Sequence, residues 1–163
     1  MSMPVRRRPD HLPKYVLVLF TRHRDGIWHF ADTLGKAGRD WEGAWRTEVA
    51  SQTLAKAKKK YADNPGLFDV EQLFAPEAFD PEDYERQHRA QWQAVIESNI
   101  RTVLAAEGRF RLPDRILAVY GTVLGMASER HVRAAIKALH DAGEVANTGV
   151  GKYFFREPIR PIT

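Results

Sequence analysis

Apolar positions follow several rhythms along this chain. Lys14–Phe20, KYVLVLF, is an unbroken β-prone apolar run. Such a run predicts a strand covered on both faces, as in a parallel or mixed sheet. Its sheet partners would come from a C-terminal hairpin, a second copy, another subunit or residues absent from this sequence. Ile27, Phe30, Ala31 and Leu34 then recur at helical spacing and predict a short helix ending near Gly35 or Gly38. A second helix is predicted from about Trp45 to Ala62, where good helix formers dominate. Trp41 and Trp45, four residues apart, are placed to pack on one side. Glu82–Glu107 contains no Pro or Gly and sets Tyr84, His88, Trp92, Val95, Ile96, Ile100, Val103 and Leu104 at near-helical spacing. It predicts a helix of about 39 Å at 1.5 Å per residue, with Pro81 at or near its start.

The last third, Pro113–Arg156, reads as helix, tight turn, second helix and hairpin. Ser128 stands at an N-cap position, Glu129 suits the positive end of the helix dipole, and Gly143 falls where a left-handed residue closes a helix. Val132, Ala135, Ile136 and Leu139 form the buried stripe, with Arg130, Arg133, Ala134 and Lys137 on or near the opposite side. Glu144–Asn147 and Lys152–Arg156 are β-prone and joined by a Gly149/Gly151 turn, which predicts a hairpin. Arg109–Leu112 supplies a short first strand. The expected fold is α+β and mainly helical: an N-terminal strand-helix lobe, a long connecting helix and a C-terminal winged helix-turn-helix. In that fold the second helix enters a DNA major groove by its N-terminal end. The candidate nucleic-acid-binding residues are therefore Ser128, Arg130, Arg133, Lys137, Lys152 and Arg156. Docking of a protein by the same module stays open.

Charge divides the chain more sharply than its net +4 suggests. Residues 1–60 carry 13 Lys/Arg against 6 Asp/Glu, residues 61–107 carry 3 against 10, and residues 108–163 carry 9 against 5. Two basic lobes around an acidic middle suit polyanions and a basic partner respectively. The expected division is a basic strand/helix lobe over 1–62, an acidic Pro-containing linker over 63–81, and the long helix with the winged module over 82–163. Residues 1–13, with Arg6, Arg7 and Arg8, read as an extended arm. Lys56, Lys58, Lys59 and Lys60 crowd a helix end and form a secondary basic patch, either solvated or phosphate-contacting. Asp69, Glu71, Glu77, Asp80, Glu82, Asp83 and Glu85 read as an acidic surface. The absence of cysteine excludes a disulfide framework and thiolate zinc sites and suits a reducing cytoplasm. No apolar run reaches the roughly 20 residues of a membrane span.

Candidate chemistry is sparse. His23, Asp25 and His29 lie near the turn TRHRDG, but they do not complete a ligand set at a recognisable metal-site spacing, so a polar strand-to-helix turn is expected there. Gly149-Val150-Gly151-Lys152 lacks the rest of a phosphate-binding loop, because residue 146 is Ala and residue 153 is Tyr. No nucleophile elbow or dinucleotide fingerprint is present. The expectation is a non-catalytic protein without metal or cofactor.

The pattern KYVLVLFTRHRDGIWHFADTL, together with HVRAAIKALHDAGEV over His131–Val145, resembles the three-Cys-motif partner proteins of bacteria. That resemblance implies that Tyr15–Phe20 corresponds to a late strand of a methyltransferase-like fold, whose earlier strands and glycine-rich cofactor loop this sequence lacks. Two functions are thus expected: binding of duplex DNA through the C-terminal module, or service as an adaptor or C-terminal portion of a methyltransferase-like assembly. In the second, a protein partner or a second copy pairs with strand Tyr15–Phe20.

Overall fold

The computed structural model describes residues 1–6, 11–62, 69–74 and 78–162. Arg7 and Arg8 of the N-terminal arm, the Asn64-Pro65-Gly66 turn, and Pro76 and Glu77 of the linker lie outside the described residues. The chain is α+β and mainly helical. Its elements are strands β1 (Ser2–Val5) and β2 (Tyr15–Val18), helices α1 (Arg24–Lys60), α2 (Val70–Phe74) and α3 (Pro81–Glu107), strand β3 (Phe110–Arg111), helices α4 (Ile116–Tyr120) and α5 (Glu129–Asp141), and strand β4 (Pro158–Ile159). Among the described residues no helix is long and apolar enough to cross a membrane.

Local signals placed α3 and α5 correctly. Asp80 accepts the Glu82 N–H at 2.8 Å, Pro81 occupies the first turn, and Gly108 (φ 71°) ends α3. The buried face of α3 is Tyr84, Trp92, Ile96, Ile100 and Val103. Ser128 is the N-cap of α5, and Gly143 (φ 74°) follows its end, where the Glu144 N–H returns to the Leu139 carbonyl at 2.9 Å.

The first helix departs from expectation. Instead of stopping near Gly35 or Gly38, α1 runs unbroken for 37 residues, about 55 Å at the usual rise. The glycines are places of close approach rather than stops. A Cβ at Gly35 would overlap the carbonyl oxygen of Ala127, and one at Gly38 that of Gly125. The turn that leads into α5 therefore lies directly on the α1 backbone. Further along α1, Trp41 and Trp45 stack at 6.3 Å, and the Trp41 indole N–H donates to the Arg6 carbonyl.

One core joins these helices. Trp28 and Ala31 of α1 are fully buried with Ile96 and Ile100 of α3, Tyr120 of α4, and Val132, Ala135, Ile136 and Leu139 of α5. Trp28 stacks on Phe155 at 5.0 Å and meets the edge of Phe154 at 5.6 Å. This burial explains why Lys152–Arg156 is not the expected strand. Phe154–Arg156 forms a 3-10 turn that drives two aromatic rings against Trp28, and burial of large rings outweighs local β preference. The strand pairing shifts downstream, with β3 antiparallel to β4 (Phe110↔Ile159, Arg111↔Pro158) and Val145 bridging Pro161.

The N-terminal strand is also corrected. β2 pairs antiparallel with β1 through Ser2↔Val18, Met3↔Leu17, Pro4↔Val16 and Val5↔Tyr15, so the segment read as an extended arm supplies its partner. Neither face is covered as expected: Tyr15 is 63% exposed and Phe20 89%. Met3 fixes the hairpin to the body by packing on Gly125.

Candidate nucleic-acid interface on helix α5

The stripe of α5 opposite its buried face opens into a groove. A cavity of about 380 Å³ separates the helix from the following loop, lined by Arg130, Arg133, Ala134 and Lys137 on one side and Thr148–Gly151 on the other. Three of the six candidate binding residues thus meet at one place, with Lys152 next to Gly151 in the chain. Lys137 is exposed and, among the described residues, pairs only with Asp141, one turn on in the same helix, at 2.6 Å. Lys152 is exposed, its ammonium 5.3 Å from the Tyr153 ring.

Arg133, Arg156 and Ser128 are occupied inside the protein. Arg133 turns inward as a clamp. Its guanidinium donates to the Gly149 and Gly151 carbonyls at 2.7 and 3.0 Å and to Glu129 at 2.8 Å, and lies 4.1 Å from the Phe154 ring. It holds the loop against α5. Arg156 pairs with Asp25 and lies over Tyr153 at 4.2 Å. Ser128 is buried.

The tip of α5 is covered by α1. Asp32 accepts the Glu129 N–H at 2.9 Å, and the Trp28 indole N–H donates to the Glu129 carboxylate at 3.0 Å. Burial alone would raise the Asp32 carboxyl, but hydrogen bonds from Lys36 and the Glu129 N–H, with the charges of Lys36 and Arg39, outweigh it and hold it below its ordinary value. An anionic Asp32 at a helix N-terminus is favourable.

Beside the tip lies a charged cluster that the sequence did not disclose. Glu85 is 1% exposed, not part of an acidic surface. Arg39 of α1 approaches its carboxylate to 3.0 Å, Arg89 of α3 to 3.6 Å and His131 of α5 to 3.3 Å, and Arg130 is in direct contact. The Ser128 N–H donates to His131 Nδ1 at 2.9 Å, which leaves the ring proton on Nε2, facing Glu85. Burial, then the charges of Arg130 and Arg39, push the imidazole pKa down to about 4. The only hint in the sequence was Glu85 and Arg89 at helical spacing, since the other partners come from distant elements.

Other sequence candidates lie apart. The secondary patch Lys56, Lys58, Lys59 and Lys60 is exposed at the far end of α1, where Lys58 pairs with Glu71 at 2.5 Å. His23 is the N-cap of α1, its N–H donating to the Thr21 hydroxyl at 3.1 Å, and the His29 ring meets the edge of Phe155 at 5.7 Å. Among the described residues no three acidic or histidine side chains gather as metal ligands would.

No protein-family model, curated protein or solved structure matches this chain.

Proposed function

We propose that this chain binds duplex DNA without catalysis, using a winged helix built from the second half of α3, β3, α4, α5 and β4. Supporting this reading are the element order, the antiparallel β3–β4 pair and the loop held beside α5 by Arg133. The observation that carries it is the groove in which Arg130, Ala134 and Lys137 face Thr148–Gly151. Because α1 covers the helix tip, contact runs along the flank of α5 and onto the loop, not through Ser128. Lys137 and Lys152 meet phosphates there, and Arg130 lies at the groove mouth.

Fluorescence anisotropy of a labelled mixed-sequence duplex, titrated at low and moderate salt, tests this. Affinity is expected to fall steeply with salt, and Lys137→Glu or Lys152→Glu should each flatten the log–log salt slope by about 1. Both side chains are exposed, so neither change disturbs the core. Absence of binding even at low salt refutes the reading.

A second reading has its own observation. Val5, Leu12, Tyr15, Val16, Leu17, Val18 and Phe20 are all exposed around the β1–β2 hairpin, and an isolated hairpin in water is marginally stable. An adaptor whose hairpin completes a partner's sheet explains this, in keeping with the resemblance to three-Cys-motif partner proteins. Leu17→Glu should abolish any self-association or partner capture measured by light scattering and pull-down. A wild-type chain that stays monomeric and captures nothing counts against it.

A further inference from the structure

We propose that an arginine-lined cleft at the start of α1 is a second contact site for the nucleic-acid phosphate backbone, so that one duplex is held at both ends of the loop following α5. This rests on the DNA-binding reading above.

The cleft measures about 790 Å³ and is lined by Arg24, Arg109, Arg111 and Arg115, with Ile27 and Pro158 among the apolar walls. Two of its arginines are neutralised locally, Arg24 by Asp114 at 2.9 Å and Arg115 by Glu107 at 2.6 Å. Arg109 and Arg111 have no acidic partner among the described residues. They flank the buried Phe110, and both are exposed. Phe110 turns into the core while Arg109 before it and Arg111 after it both line the cleft. Two like charges held side by side repel unless an anion is shared between them. The planar fork of arginine matches the paired oxygens of a phosphate group. The cleft is open to solvent, which suits a strand lying across it.

Placement links this cleft to the α5 groove. Gly151 lines the groove and Pro158 lines the cleft, and the chain between them spans at most about 25 Å fully extended. That is about seven base-pair steps at 3.4 Å, so the two sites lie within the length of a single short duplex. Lys152 lies on the path.

The test is the salt dependence of anisotropy with a duplex of about 20 base pairs, long enough to cover both sites. Arg109→Gln/Arg111→Gln should lower the log–log slope by about 1.8, making its affinity loss about tenfold larger at about 50 mM than at about 200 mM salt. Arg109→Lys/Arg111→Lys, which keeps both charges, should keep the slope, and an unchanged melting temperature in each variant shows that the fold is intact. A slope unaltered in the Gln variant but reduced in Lys137→Glu overturns the second site and leaves the α5 reading standing. Absence of wild-type DNA binding removes both. An acidic peptide of poly-glutamate that binds the wild type and not the Gln variant, with the DNA slope unchanged, assigns the cleft to a protein partner and overturns the inference.

Discussion

His131 keeps its proton on Nε2, and the groups around it decide how the fold responds to acid. Glu85 and Arg89 face it from α3, Arg39 from α1 and Arg130 from its own helix. Its pKa is 6.5 in the unfolded chain and about 4 in the folded one, so between these values the unfolded state binds more protons. Stability therefore falls as pH drops from about 6.5 to 4, by up to about 1.4 kcal/mol per pH unit. Urea unfolding across this window should show a shallower pH slope for His131→Gln than for the wild type, and equal slopes would place the effect elsewhere. Glu85→Gln removes the counter-charge from three guanidiniums, and a cost of about 3 kcal/mol is expected from chemical denaturation. The nearness of these residues could not be read from sequence. A buried carboxylate looks like any surface glutamate until two other helices are laid on it.

At the scale of elements, the sequence was legible wherever the signal is local. Pro81, Ser128 and Gly143 mark helix ends within a few residues, and α3 begins and α5 begins and ends there, whereas Asp80, read as acidic surface, is the N-cap of α3. It was misleading where a residue answers to something distant. Gly35 and Gly38 look like helix stops, yet they serve the carbonyls of Ala127 and Gly125. Phe154 and Phe155 look β-prone, yet Trp28 claims them. In an exposed helix Gly→Ala stabilises by about 1 kcal/mol. Here Gly38→Ala forces a Cβ into a backbone oxygen and should destabilise by about 1–3 kcal/mol. A thermal melt reads this as a drop of about 2–4 °C per kcal/mol, and a rise in melting temperature would show that α1 and the turn are not in contact.

The whole molecule is held by α1, which carries Trp28 into the core, caps α5 through Asp32 and sends Arg39 to Glu85. The segregation of charge was legible in composition, but its use was not: much of the basic charge near α5 is spent on internal carboxylates, leaving Lys137, Lys152, Arg109 and Arg111 as the surface positions that carry the DNA-binding proposals. The exposure of β2 was equally hidden, since a continuous apolar run specifies a need for cover without specifying who provides it. The contact between α1 and the turn before α5 also bears on descent. Two glycines one helical turn apart must drift together with a turn far downstream, because neither side can enlarge alone. Sequences sharing this architecture should therefore be recognisable by a coupled spelling at those two places, even after their surfaces have diverged.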